Sequence, residues 1–166
     1  MPDITFGKEF SKELEEESMA CRKCLERIPE SLFGWKPHEK SMTMGYLSQL
    51  VAEIPKWIAV SIKDSAIDLA TFQHIKPQTT DDLVNFFNEN IESATQALNS
   101  ISNEDIQKPF SLKMGEKVLF TTPLKDSVGS TINHLVHHRG QLTVYMRLND
   151  IPVPSIYGPS ADEKVF

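Results

Sequence analysis

The chain has 166 residues, of which 40% are hydrophobic and 24% charged, and this balance is typical of a folded globular protein. Its formal net charge of -6, without a dense basic cluster, argues against a nucleic-acid-binding protein, because affinity for the phosphate backbone requires a basic surface. No apolar run approaches the ~20 residues of a membrane span, and residues 1–5 carry no signal-peptide pattern, so we expect a cytoplasmic protein without membrane contact.

The first predicted helix runs from Glu9 to Ile28, with acidic residues early and basic residues late, as the helix dipole favours. It contains Cys21 and Cys24 in a C-x-x-C arrangement, which is found in redox pairs and in zinc sites. The second half of a zinc knuckle is absent, and the surrounding sequence lacks the strand and helix of a thioredoxin motif. We therefore expect two small buried or half-buried thiols on one helix.

The second predicted helix covers Met44 to Lys63, with Thr43 as its N-cap and a clear apolar stripe. Pro55 falls inside it and removes one backbone hydrogen bond, which predicts a kink or a break near residues 51–54.

Residues 64–78 are predicted to be irregular, with at most a short extended piece near residues 69–72. A third helix is expected over residues 81–101, where apolar residues recur with helical spacing. Residues 110–114 and 117–121 alternate in polarity around a Gly-Glu turn, so they predict a short β-hairpin.

A fourth helix is predicted from Pro123 to about Asn149. On it, polar and aromatic residues follow one another at helical spacing and form one continuous stripe: His134, His138, Gln141 and Tyr145. Such a stripe on the inner side of a bundle is typical of a polar pocket lining. Residues 151–163 contain three prolines and are expected to wrap, without helix, against the rest of the protein. Four helices with short connections predict an all-α antiparallel four-helix bundle that forms one domain over residues 1–166.

His134 and His138 stand four residues apart, so both imidazoles lie on one helix face and could bind the same divalent cation. A catalytic zinc site needs roughly three protein ligands, and the pair supplies two. The alternative is a polar or partly buried helix face whose imidazoles are hydrogen-bonded. Spacing alone leaves both interpretations open.

Residues 134–143 and 153–163 resemble the C-terminal signature of the DinB-like (DinB/YfiT) family, and residues 36–57 resemble its second helix and the segment before it. The resemblance implies a four-helix bundle, often a homodimer, with a divalent metal (nickel or zinc) near its centre. It also implies a low-molecular-weight thiol or another small molecule as a ligand, because characterised relatives include thiol-dependent S-transferases.

The resemblance also implies three histidine ligands, two of which match His134 and His138. The first is expected at position 50, where this sequence has Leu50. Three interpretations follow: Glu53 or another oxygen ligand replaces the histidine in a metal-dependent hydrolase or S-transferase; the metal is lost and a small-molecule pocket remains; or the protein is a structural dimer.

The remaining polar residues have simpler expected roles. Arg139 faces away from the histidine pair and is expected to form a salt bridge to an acidic helix or to the C-terminal tail. Gly140 in mid-helix predicts close approach of another segment. Glu53, if it is not a ligand, is expected to be an exposed charge or a partner for a cation. His38 and His74 lie in predicted loops and are expected at the surface.

Overall fold

A computed structural model describes residues 5–164 of the chain. It shows a mostly helical fold with four helices and one small sheet. Its elements are α1 (Phe6–Leu25), α2 (Met44–Asp64), β1 (Ala66–Asp68), α3 (Thr80–Ser100), β2 (Pro109–Met114), β3 (Lys117–Pro123) and α4 (Leu124–Leu148). None of the described helices is long and apolar enough to span a bilayer. The expectation about a signal peptide concerns mainly residues 1–4, which lie outside the described part of the chain.

Threonine caps begin three of the helices. The Thr43 side chain accepts a hydrogen bond from the backbone N–H of Tyr46, which confirms the predicted N-cap of α2. At α3, Thr79 and Asp82 form a reciprocal capping box. Helix α2 continues through Pro55, so the predicted break near residues 51–54 does not occur, while the alternative of a kink there stays a prediction.

The sheet is larger than the predicted hairpin. Strands β2 and β3 pair antiparallel around Gly115, whose φ of +60° suits a glycine turn. Strand β1 adds to β2 in parallel, which makes a three-stranded mixed sheet and corrects the all-α assignment. The extended piece lies at Ala66–Asp68 and not near residues 69–72. A strand of three residues is too short to show an alternating pattern, so no periodicity predicted it.

The helices enclose an apolar core in which α2 packs against α3 and α4, and α1 packs against the same two helices. Gly7 allows α1 to approach α3 closely, since a Cβ there would lie 2.2 Å from the carbonyl oxygen of Leu98. Cys21 and Cys24 are fully buried, as predicted. Burial raises the pKa of the Cys21 thiol to about 12 and that of Cys24 to about 11, so neither is poised for thiolate chemistry.

One face of α4 carries a buried guanidinium. Arg139 is 2% exposed, pairs with the Glu17 carboxylate of α1, and donates a hydrogen bond to the Tyr157 hydroxyl at 2.7 Å. Tyr157 in turn donates to Glu17. We call Glu17, Arg139 and Tyr157 the arginine cluster. The salt-bridge partner of Arg139 is therefore on the acidic helix α1, which was one of the two alternatives expected from the sequence.

The C-terminal segment wraps against the helices, as predicted. Glu163 pairs with Arg27, just after the end of α1, and Asp162 pairs with Arg147 of α4. The close approach expected at Gly140 is absent, since no described atom would lie within 4 Å of a Cβ there. The glycine therefore has no packing explanation among the described residues.

Candidate functional site

The two histidines predicted from the sequence lie side by side on α4. Their Nε2 atoms are 2.8 Å apart, a hydrogen-bond distance, and their ring centroids are 4.5 Å apart. The His138 Nδ1 atom lies 2.8 Å from Oε1 of Gln141, one turn further along the helix. His138 is 8% exposed, and His134 is half-buried. The i,i+4 spacing thus brings the imidazoles together as expected.

These contacts are satisfied by one proton arrangement when both rings are neutral. The Gln141 amide oxygen can only accept a hydrogen bond, so in the neutral pair His138 Nδ1–H donates to Gln141 and the lone pair of His138 Nε2 accepts from His134. Nδ1 of His134 is then the ring nitrogen left to accept a hydrogen bond. Burial, and then the neighbouring His138 and His137, lower the pKa of His134, so that imidazole is uncharged at neutral pH.

Tyr145, the last member of the predicted stripe, has a different role. Its hydroxyl donates to the carbonyl oxygen of Met42 at 3.2 Å, and its ring packs edge-on against Trp35 with centroids 5.5 Å apart. Tyr145 therefore fastens the loop before α2 to α4. The predicted stripe therefore contains two separate parts. His134, His138 and Gln141 contact one another, whereas Tyr145 has a structural role.

A cavity of about 480 Å³ lies next to His134, between α2, the sheet and the first half of α4. Its walls are Trp57, Ser61, Ile67, Phe110, Leu112, Phe120, Thr122, Asp126, Ser127, Ser130, Thr131 and His134. The Trp57 and His134 rings are in contact, with centroids 5.4 Å apart. The sequence predicted a pocket lining along the stripe that begins at His134, and His134 does line the cavity, whereas His138, Gln141 and Tyr145 do not and the rest of the wall was missed. The polar positions 127, 130, 131 and 134 repeat with helical spacing and were the signal that could have revealed this face of α4.

Glu53 lies one turn before Trp57 on α2 and is fully buried. Its Oε1 atom lies 2.7 Å from Nδ1 of His74 and accepts the indole N–H of Trp57 at 3.3 Å. Its Oε2 atom has no hydrogen-bond partner among the described residues. Glu53 is therefore not an exposed charge, and His74, although its side chain is 48% exposed, is not a solitary surface residue. The two residues are 21 positions apart, so no local pattern could connect them.

The residues present do not complete the three-ligand metal centre that the resemblance implies. The described part of the chain contains no group of three or more His, Cys, Asp or Glu residues arranged to hold a metal. Position 50 is a buried leucine, and Glu53 is engaged with His74. Two nitrogen ligands of a tetrahedral zinc would lie roughly 3.3 Å apart at the usual Zn–N distance, whereas the Nε2 atoms stand 2.8 Å apart, at hydrogen-bond distance. Metal binding by His134 and His138 remains a prediction.

Comparison with known proteins identifies relatives. The sequence model of the DinB family matches residues 1–164. The uncharacterised protein YrdA of Bacillus subtilis (strain 168) is 56% identical over 32 residues, a segment that covers only 19% of this chain and 19% of YrdA.

Two solved structures have a similar fold. A DinB-like protein of Bacillus subtilis, YjoA, superposes with a TM-score of 0.73 at 17% identity, covering 95% of this chain and 99% of that one. A DinB-like protein of Bacillus cereus ATCC 10987 superposes with a TM-score of 0.68 at 19% identity, covering 90% and 97%. At these identities the likeness is one of fold.

Proposed function

This chain belongs to the DinB family, and we propose that it binds a small, largely apolar molecule in the cavity beside His134, without a resident metal centre. The observation that carries the proposal is the cavity itself. Its volume of about 480 Å³ lies within the range of small-molecule sites, and most such sites combine apolar walls with a few polar groups.

The cavity walls favour particular ligand chemistry. Aromatic rings of Trp57, Phe110 and Phe120 suit an apolar or aromatic body. Nδ1 of His134 is available to accept a hydrogen bond, so a hydroxyl or amine of the ligand has a partner. Asp126 is the one charged residue along the described wall, and it is paired with Lys125 at 3.2 Å, so the wall best suits a neutral ligand.

A second function has one observation in its favour. The Nε2 atoms of His134 and His138 face each other, so a nickel or zinc ion could be held by both imidazoles together with a ligand that brings its own donor atom, such as a thiol. In this alternative the protein is a metal-dependent hydrolase or thiol S-transferase whose ion is bound weakly in the absence of the ligand.

Binding of the neutral fluorescent probe N-phenyl-1-naphthylamine tests the first function. We expect saturable binding with one site per chain. Ser130→Trp places an indole on the cavity wall and should abolish binding, whereas Asn99→Trp, at an exposed position of α3, should not. Equal binding by the two variants would contradict the proposal.

Metal content of the untagged protein separates the two functions. By inductively coupled plasma mass spectrometry after dialysis without chelator, we expect far less than one equivalent of nickel or zinc. One equivalent, lost in His134→Ala, would overturn the proposal of a metal-free site and favour the metal-dependent function.

We further infer that residues 1–166 form a single domain in which the four helices make the antiparallel bundle of the family, and that it is a cytoplasmic homodimer. Sedimentation equilibrium would give the mass of the assembly, and a monomer at micromolar concentration would contradict the dimer.

A further inference from the structure

We propose that Glu53 and His74 are positioning residues of the ligand site, and that they act on it through the indole ring of Trp57. The inference rests on the proposed cavity function and goes beyond it, since neither Glu53 nor His74 lines the cavity. Trp57 is the residue that connects the two regions, because it forms part of the cavity wall and contacts His134.

Trp57 is held by two residues that do not line the cavity. Its indole N–H donates to Glu53 Oε1 at 3.3 Å, and its ring meets Phe72 edge-on, with centroids 6.3 Å apart. These two contacts act on different parts of the ring. Together with the contact to His134, they leave the indole little freedom to rotate.

The segment of residues 69–78, between β1 and α3, supports both contacts, although the hydrogen bond from Trp57 to Glu53 is itself within α2. His74 binds Glu53 Oε1 at 2.7 Å and packs against Phe72, with centroids 5.2 Å apart. Lys56 fastens the same segment, since its ammonium lies 4.9 Å above the Phe72 ring and donates to the Gln73 carbonyl at 3.1 Å. The anchoring residues of α2 are thus at positions 53, 56 and 57, on one helix face.

The burial of Glu53 argues for a role beyond packing. A fully buried carboxylate with one unpartnered oxygen is unfavourable, and replacing a buried ion pair with apolar residues is often neutral or stabilising. A leucine at position 53 would fill the space without the desolvation cost. The carboxylate instead orients the His74 imidazole and the Trp57 indole, because both rings bind its Oε1 atom.

The experiment is a double-mutant cycle on probe affinity. We expect His74→Ala to weaken N-phenyl-1-naphthylamine binding about fivefold, the effect of losing about one hydrogen bond. In a Trp57→Phe background, which removes the indole N–H, His74→Ala should cause no further loss. His38→Ala, at an exposed loop histidine, is the matched control and should bind normally.

Two further variants separate positioning from stability. Glu53→Gln keeps an acceptor oxygen and should retain more affinity than Glu53→Leu. The double variant Glu53→Leu/His74→Leu replaces the buried pair with apolar residues, so it should unfold at the same or a higher temperature than the wild type while it binds the probe more weakly. The substitution Trp35→Phe leaves Trp57 as the single tryptophan of the chain. In that background, His74→Ala should lower the fluorescence anisotropy of Trp57, because the indole is held less rigidly.

The outcomes distinguish the two proposals. Absence of probe binding by the wild-type protein would overturn the cavity function. Normal probe binding that His74→Ala leaves unchanged, or an equal loss with and without the Trp57 indole, would overturn the positioning role alone.

Discussion

Two faces of α4 use neighbouring residues in opposite ways. Arg139 finds its partners far away in the sequence, since Glu17 is 122 residues distant and Tyr157 belongs to the C-terminal segment. His138, the preceding residue, is bound to His134 and Gln141 of its own helix. The face of α4 that carries Arg139 (the arginine face) joins three parts of the chain. On the face that carries His134 and His138 (the histidine face), the hydrogen bonds between side chains stay within α4, and this face borders the cavity.

The difference shows how to separate scaffold from site among buried polar residues. Contacts between distant segments stabilise the fold, because they exist only when those segments are assembled. Contacts within one helix do little for assembly, and they leave the other side of the ring free for a ligand. Mutations on the two faces should therefore affect different measurements.

The largest effect on stability is expected on the arginine face. Arg139→Met keeps much of the side-chain volume but leaves Glu17 without its cation, and loss of one partner of a buried pair costs about 3 kcal/mol or more. Urea denaturation measures the loss in free energy of unfolding. His134→Ala, on the other face, is the matched comparison and should cost clearly less. If the two variants lose the same stability, the distinction between the faces is wrong.

An intermediate effect is expected at His74. His74→Ala leaves the buried Glu53 carboxylate with only the Trp57 indole as a donor, which should lower the free energy of unfolding by about 1–2 kcal/mol. Thermal unfolding of His74→Ala beside His38→Ala gives the comparison. A His74→Ala variant as stable as the control would mean that the carboxylate finds another donor.

The smallest effect on stability, a gain and not a loss, is expected at Gly140 of α4. Gly140→Ala adds a methyl group where no described atom lies within 4 Å, so helix propensity should stabilise the protein by up to about 1 kcal/mol. Gly7→Ala is the contrasting variant, because its methyl group would clash with the Leu98 carbonyl and should destabilise the protein. Loss of stability in Gly140→Ala would show that this face is covered in solution.

The sequence was informative where the deciding contact is local. The Thr43 cap and the histidine pair depend on residues within one helical turn, so both could be predicted. The contact between Glu53 and His74 depends on how segment 69–78 folds back onto α2, and no periodicity reports it. The cavity likewise exists because the sheet packs beside α4, and β1, one of the strands that line it, is only three residues long.

The attachment of the C-terminal segment to α1 has a consequence for biosynthesis. Arg27, which lies two residues after the end of α1, and Glu163 are separated by 136 positions, so their contact forms only after residue 163 has left the ribosome. Glu17 of α1 likewise waits for Arg139 and Tyr157. The nascent chain must therefore carry Glu17 and Arg27 without these partners until α4 and the C-terminal segment have emerged, and only then can the packing of α1 be completed.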